Sequence, residues 1–263
     1  LLRELIDTCN TNNLNLELKL PVNDFNNSDF KRLLKKTLDE EDEFSSAIIL
    51  SSNVEDNLDS LKDFEKKFKK PIVLLDVGSS AAALHFTDLV SIIGFSNKVG
   101  GQKAAEIAQH ILDKNESSSR NILVIASELQ QERQEVFEKE LSKRNKDLKI
   151  TINDKGNFNR KTARKIAYSY LTKNADTSII FCTNDEMALG VLDAIELFKD
   201  RSFNNLSIIG YDGIEEVIDE INSCDSLIKN TVLQNRKYLA QTAIEYILKK
   251  IEKKPVLKEF IVE

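Results

Sequence analysis

Residues 177–213, TSIIFCTNDEMALGVLDAIELFKDRSFNNLSIIGYDG, read as strand, polar tip, helix, strand and polar tip. An apolar run over 178–182 stops at Thr183, Asn184 and Asp185. A helical period then sets Met187, Val191, Leu192, Ile195 and Phe198 on one face. A second apolar run over 206–210 stops at Tyr211, Asp212 and Gly213. Strands joined by a helix lie parallel, so both polar tips fall at carboxyl ends of neighbouring strands, where open α/β sheets place their ligands. Asn184 and Asp212 are therefore expected to face one crevice.

The same rhythm fills the rest of the chain. Strands are predicted over 14–20, 47–50, 71–76, 91–95, 121–126, 148–152 and 228–233. Helices are predicted over 29–43, 58–69, 104–112, 131–144, 160–171 and 236–251, with a last extended segment over 255–262. A polar joint, SNKVGGQ, separates two α/β blocks near residues 95–101. Gly100 and Gly101 in that joint are expected to let the chain turn into the second block. The chain opens with apolar residues at 1, 2, 5 and 6, a helix with no strand before it. A doubly wound block keeps its first strand near the centre, so the native polypeptide is expected to continue upstream.

Bulk properties narrow the function classes. The 263 residues are 41% apolar, enough for one large core or two small ones. With 37 Lys and Arg against 43 Asp and Glu, the net charge of -6 argues against a surface that neutralises phosphates, so no direct nucleic-acid contact is expected. No apolar run reaches the roughly 20 residues a membrane helix needs. Cys9, Cys182 and Cys224 are too scattered for a disulfide framework or a zinc site, and no metal or cofactor is expected. His85 and His110 sit in no catalytic motif, and GxSxG, GxGxxG and GxxxxGK[ST] are absent, which argues against an enzyme.

Single residues leave alternatives open. Asn184 or Thr183 can simply cap the following helix. Asp212-Gly213 can be only a turn, and Phe158 in GNFNR only core. Asp76 ends an apolar strand, but Gly78 stands where a phospho-acceptor site would carry a second acid.

Taken together, TNDEMALGVLDAI and SIIGYDG resemble the second lobe of type I periplasmic binding proteins, above all the ribose-binding group. SIIGFSNKVGGQKAAEIAQ resembles the family's first crossing between lobes, and VLQNRKYLAQTAIEYI the second crossing and the helix after it; the likeness runs essentially from end to end. It implies an α/β fold of two similar doubly wound parallel-sheet lobes joined by a three-crossover hinge, with the first strand of the amino-terminal lobe missing. The lobes would comprise residues 1–95 plus 235–253 and 96–234 plus 254–263.

The resemblance also implies a ligand set: Asp76 on the first lobe, Phe158, Asn184 and Asp212 on the second, and Gln234 at the hinge. Departures fall at Val77 and Gln131, where the ribose-binding pattern has arginines, and at Ser51 and Phe95, where it has asparagine and serine. Both guanidinium forks are thus expected to be missing; Arg133, two residues past Gln131, is a candidate partial substitute, though helix spacing points it another way. The implied function is a non-catalytic clamp for a small polar ligand, a sugar by resemblance. It would be periplasmic or extracellular and report to an ABC transporter permease, a chemoreceptor or a sensor kinase. Two other readings stay open: the effector core of a lactose-repressor-type regulator, which would be cytoplasmic, and a protein-interaction module with a degenerate site.

Overall fold

A computed structural model describes the chain at all residues except 22–26, 51–53, 55, 76–83, 115–118, 200, 224 and 263. The chain divides into two compact units, Leu1–Ser96 with Asn235–Glu263, and Asn97–Gln234. Its elements run α1 (Leu2–Thr11), α2 (Asn27–Asp39), β1 (Ala47–Leu50), α3 (Leu58–Phe68), β2 (Ile72–Leu75) and β3 (Val90–Phe95). The second unit follows with α4 (Asn97–Lys114), β4 (Asn121–Ile125), α5 (Gln131–Arg144), β5 (Lys149–Asn153), α6 (Arg160–Lys173), β6 (Ile179–Cys182), α7 (Asp185–Ile195), β7 (Ser207–Asp212), α8 (Glu215–Asn222) and β8 (Ile228–Leu233). The chain ends in α9 (Arg236–Ile251) and β9 (Glu259–Val262).

The first unit's sheet has the order β1-β2-β3-β9, and the neighbouring strands run parallel. Its strands are apolar on both faces, as a sheet covered on both sides requires. Val73, Leu75, Ile93 and Phe95 pack with Leu239, Ala243 and Ile247 of α9, while Ile72, Leu74, Val90 and Ile92 pack with Leu61, Phe64 and Phe68 of α3. The side-chain period of two makes this division automatic.

Two expectations fail in this unit. Residues 254–263 were assigned to the other lobe, but β9 adds to the edge of β3 in parallel register, Ile92 beside Glu259 and Phe95 beside Val262. The open ladder groups of β3 gain partners there, and Phe260 and Val262 pack on the α9 side of the core. Residues 14–20 join no ladder among the described residues, and no strand forms there without a paired neighbour. Leu16, Leu18 and Leu20 are consequently 38%, 43% and 62% exposed.

The second unit's sheet has the order β5-β4-β6-β7-β8, all parallel. Ile122, Val124, Ile179, Phe181, Ile209 and Tyr211 face α4 and α5; Leu123, Ile125, Ile180, Cys182 and Ile208 face the opposite layer of α6 and α7. Small residues set the helix spacing. A Cβ on Gly190 of α7 would come within 2.2 Å of the Arg160 carbonyl oxygen, and one on Gly101 of α4 within 2.7 Å of the Arg133 carbonyl oxygen. Gly100 and Gly101 are thus buried packing residues in the first turns of α4, which starts at Asn97, and not a flexible joint. The helix α8 was not anticipated from sequence.

An exposed-edge network ties three of these helices. Arg160 donates through Nε and Nη2 to both oxygens of Asp193, each at 2.8 Å, and through Nη1 to Glu216 at 2.7 Å. The guanidinium hydrogen bond holds the Asp193 carboxyl below its ordinary 3.8, against an opposing effect of burial. A carboxyl depressed in the folded state adds stability above its unfolded pKa and loses it as pH falls through the folded value. Arg160→Met is therefore expected to lose about 0.5–1.5 kcal/mol at neutral pH in urea unfolding, the low end favoured by partial solvent screening. The difference from the parent should shrink as the pH drops below about 4, and a pH-independent difference would contradict the linkage.

Candidate ligand site at the strand tips of the second unit

In a parallel sheet all carboxyl ends lie on one side, and the strand order of this sheet reverses direction between β4 and β6. The loops after these two strands diverge to opposite faces and leave a crevice. Three residues follow β6 there: Thr183, Asn184 and Asp185, all buried.

Asn184 resolves one of the open alternatives in favour of a cap. Its backbone is extended, and its Oδ1 accepts the Met187 N–H at 2.9 Å, closing the first turn of α7. This uses the oxygen only. No protein acceptor is found for its Nδ2 among the described residues, so the amide is both cap and available donor.

Asp212, the last residue of β7, is half-buried and has φ 117, a conformation that side-chain-bearing residues rarely adopt. Its carbonyl oxygen accepts the Gln234 N–H at 3.2 Å just beyond the end of β8. Gln234 Nε2 and Thr183 Oγ1 are buried polar atoms with no hydrogen-bond partner among the described residues. Phe158 lies in the loop after β5 with φ 54, directly after Asn157 with φ 51, and packs half-buried against the α6 and α7 core. That loop lies close: Gly156 donates its N–H to the Ala126 carbonyl at 2.9 Å, and a Cβ there would meet Met187 Sδ at 2.4 Å. Left-handed residues gathered at strand tips store strain of the kind found at functional sites.

The main correction concerns Arg133. It is 5% exposed, and its guanidinium stacks 3.9 Å above the centre of the Tyr211 ring. Nε donates to Asn97 Oδ1 and Nη1 to the Thr183 carbonyl, both at 2.8 Å, and Nη1 lies 3.9 Å from Asp212 Oδ1. The guanidinium expected to be absent is present at the crevice, while Gln131 is exposed at the start of α5. The signal was in the sequence: Arg133, Phe137 and Leu141 recur every four residues, so Arg133 shares the buried face. Glu128–Gln130 forms a single 3-10 turn before α5, with Ser127 accepting the Leu129 N–H at its start.

The remaining expected residues divide. Phe95 ends β3 in the core of the first unit against Leu239 and Ala240, and is 8% exposed. Its place is a packing position in that unit. Ser51 and Asp76 lie outside the described residues. Among the described residues no group of three or more His, Cys, Asp or Glu is placed to hold a metal, and no helix is long and apolar enough to cross a membrane.

Comparison with known proteins decides the family. The sequence pattern of the periplasmic binding protein domain matches residues 45–255. The chain belongs to this family. Its fold superposes on that of an ABC transporter periplasmic solute binding protein from Actinobacillus succinogenes 130z, solved with bound D-allose, at a TM-score of 0.82 and 21% identity, covering 99% of this chain and 89% of that one. It is 28% identical over 215 residues to the HTH-type transcriptional repressor PurR of Haemophilus influenzae, covering 79% of this chain and 56% of the repressor. It is also 24% identical over 153 residues to the ribose import binding protein RbsB of the same organism, covering 58% of this chain and 49% of that protein. The chain spans between 32% and 58% of the lengths of the curated relatives named PurR and RbsB that it matches. Within this periplasmic binding protein domain, the second unit gathers the Arg133 guanidinium, the Thr183 carbonyl and the Asp212 carboxylate at its strand tips.

Arg133→Met removes the cation and both hydrogen bonds at similar volume, leaving the Thr183 carbonyl and Asp212 with one partner fewer. A stability loss of about 2–4 kcal/mol is expected from urea unfolding. A loss under about 0.5 kcal/mol would mean that the guanidinium is not held as described.

Proposed function

We propose that this periplasmic binding protein domain is a non-catalytic receptor for a small neutral polyhydroxylated ligand, a monosaccharide or a cyclitol, held at the strand tips of the second unit. The observation that carries the reading is the cluster of Arg133, Asp212, Asn184 and Gln234, with two buried polar atoms that lack protein partners. Arg133 and Asp212 together carry no net charge, which favours an uncharged guest over an acid or an amine. A sugar hydroxyl both donates and accepts, so it can give a hydrogen to Asp212 while taking one from the Asn184 amide or the guanidinium. The C–H face of a sugar ring suits a partly exposed phenylalanine such as Phe158. Asp76 is proposed as the carboxylate supplied by the first unit, with hinge motion as the response to binding. The family and the D-allose-bound solute binding protein it resembles in fold also support a sugar, a periplasmic location and an ABC transporter as partner.

A second reading has a specific observation in its favour. The match to the repressor PurR covers more of the chain than the match to RbsB, 79% against 58%. The corresponding proposal is the effector core of a regulator. A planar nucleobase would be one suitable guest, because it also stacks on Phe158 and pairs with an amide and a carboxylate.

Thermal unfolding with a panel of D-allose, D-ribose, D-galactose, myo-inositol and the common nucleobases separates the two. A true ligand at 100 times its Kd should add about 2.7 kcal/mol of stability. Asp212→Ala should abolish the response and leave the unliganded protein folded. Silence across every sugar and cyclitol would sink the leading reading, and a response to a nucleobase alone would select the second.

A further inference from the structure

Asp185, the first residue of α7, has 0% exposure and lies outside the contact set described above. Its Oδ2 accepts the Ile214 N–H at 2.8 Å, and its Oδ1 accepts the Thr231 hydroxyl of β8 at 2.7 Å. Ile214 lies two residues past Asp212, and Gly210, against which the carboxylate packs, lies two residues before it, so the chain at the end of β7 bends around one carboxylate. Asp212, the residue enclosed by these anchors, is the one with φ 117. Such a conformation costs on the order of 1–3 kcal/mol and survives only where the surroundings impose it.

The space around Asp185 is equally specific. A Cβ on Gly210 would come within 2.1 Å of Asp185 Oδ1, so the carboxylate reaches the β7 backbone only because that position is glycine. Burial pushes the Asp185 carboxyl up and its hydrogen-bond donors pull it back, the opposition expected of a buried acid with several donors and no cation paired to it.

We propose that Asp185 is a positioning residue: its buried carboxylate holds the β7 tip in the conformation that presents the Asp212 side chain to the ligand. The proposal rests on the reading that Asp212 contacts the ligand, and it deepens that reading by locating what sets the residue's geometry.

The test begins with the ligand-free full chain. The three-bond HN–Hα coupling of Asp212 reports its φ directly. Asp185→Asn keeps the shape but turns one acceptor oxygen into an NH2 facing a donor. It should move the coupling toward the extended-strand value and speed amide exchange at Ile214 by about tenfold or more. Thr231→Val, which removes one donor, should move the coupling in the same direction by less, and Thr231→Ser should restore it. An unchanged coupling in folded Asp185→Asn overturns the proposal. If that variant does not fold, an unchanged coupling in Thr231→Val does so.

Titration calorimetry with D-allose, D-ribose and myo-inositol supplies the functional arm. Whichever of these the parent binds, Asp185→Asn should bind about tenfold or more weakly at a temperature where both proteins are folded. Equal affinity overturns the proposal. A parent that binds none of the three removes the sugar reading and leaves the coupling to decide the positioning claim.

Discussion

The second unit is organised around a carboxylate that no solvent reaches. Asp185 is expensive to bury, and the structure offsets that cost with a hydroxyl and a backbone N–H in place of a cation. Those donors come from β8 and the turn after β7, so a single side chain fastens the start of α7 to the ends of β7 and β8. The neighbouring residue Asn184 closes the same helix end with its own cap. Two successive side chains thus do opposite jobs, one facing inward to the sheet and one capping the helix at the crevice edge, and the order Asn-Asp at a strand tip makes this division possible.

Close packing around this fastening uses glycine where a methyl group would not fit. Gly210 lets Asp185 approach the β7 backbone, Gly190 lets α7 lie against the first turn of α6, and Gly100 leaves room for the Tyr211 ring. A Cβ on Gly100 would stand 1.8 Å from the Tyr211 hydroxyl oxygen, and Arg133 stacks on that ring. The guanidinium is also held from α4, through Asn97 Oδ1. A cation buried on an aromatic face, with two neutral acceptors and a carboxylate at 3.9 Å, loses less solvation energy than an isolated one would.

Much of this was legible in the sequence because parallel strands in a covered sheet are continuous apolar runs and their ends are abrupt. The β6 and β7 tips, the helix between them and the places of Asn184 and Asp212 all follow from that pattern. The two departures in the first unit share one cause. Residues 14–20 alternate leucines as a strand would, yet pairing depends on a neighbouring edge that local sequence does not contain. Residues 254–263 join the first unit and not the second for the same reason, since only the free edge of β3 tells where β9 belongs. Arg133 was misjudged differently: its direction was counted from Gln131, whereas the buried stripe of Phe137 and Leu141 fixes the helix rotation. Phe95 matches a ligand position of the family by place in the chain alone, and its side chain packs in the core with Leu239 and Ala240 of α9.

The polar atoms left without partners give the site its direction. Thr183 Oγ1 and Gln234 Nε2 are buried at the ends of β6 and β8, on either side of β7, where Asp212 sits. A folded chain rarely leaves such atoms unpaired, because each costs roughly 1–3 kcal/mol. Water or a guest that both donates and accepts removes the cost, and a hydroxyl does so at either atom. An ammonium guest, which only donates, could serve the Thr183 hydroxyl but not the Gln234 amide nitrogen. Hydrogen-bond valence thus argues against a cation, the near-neutral pair of Arg133 and Asp212 argues against a net charge of either sign, and the proposed hydroxylated guest meets both atoms if it can span neighbouring strand tips spaced about 5 Å apart.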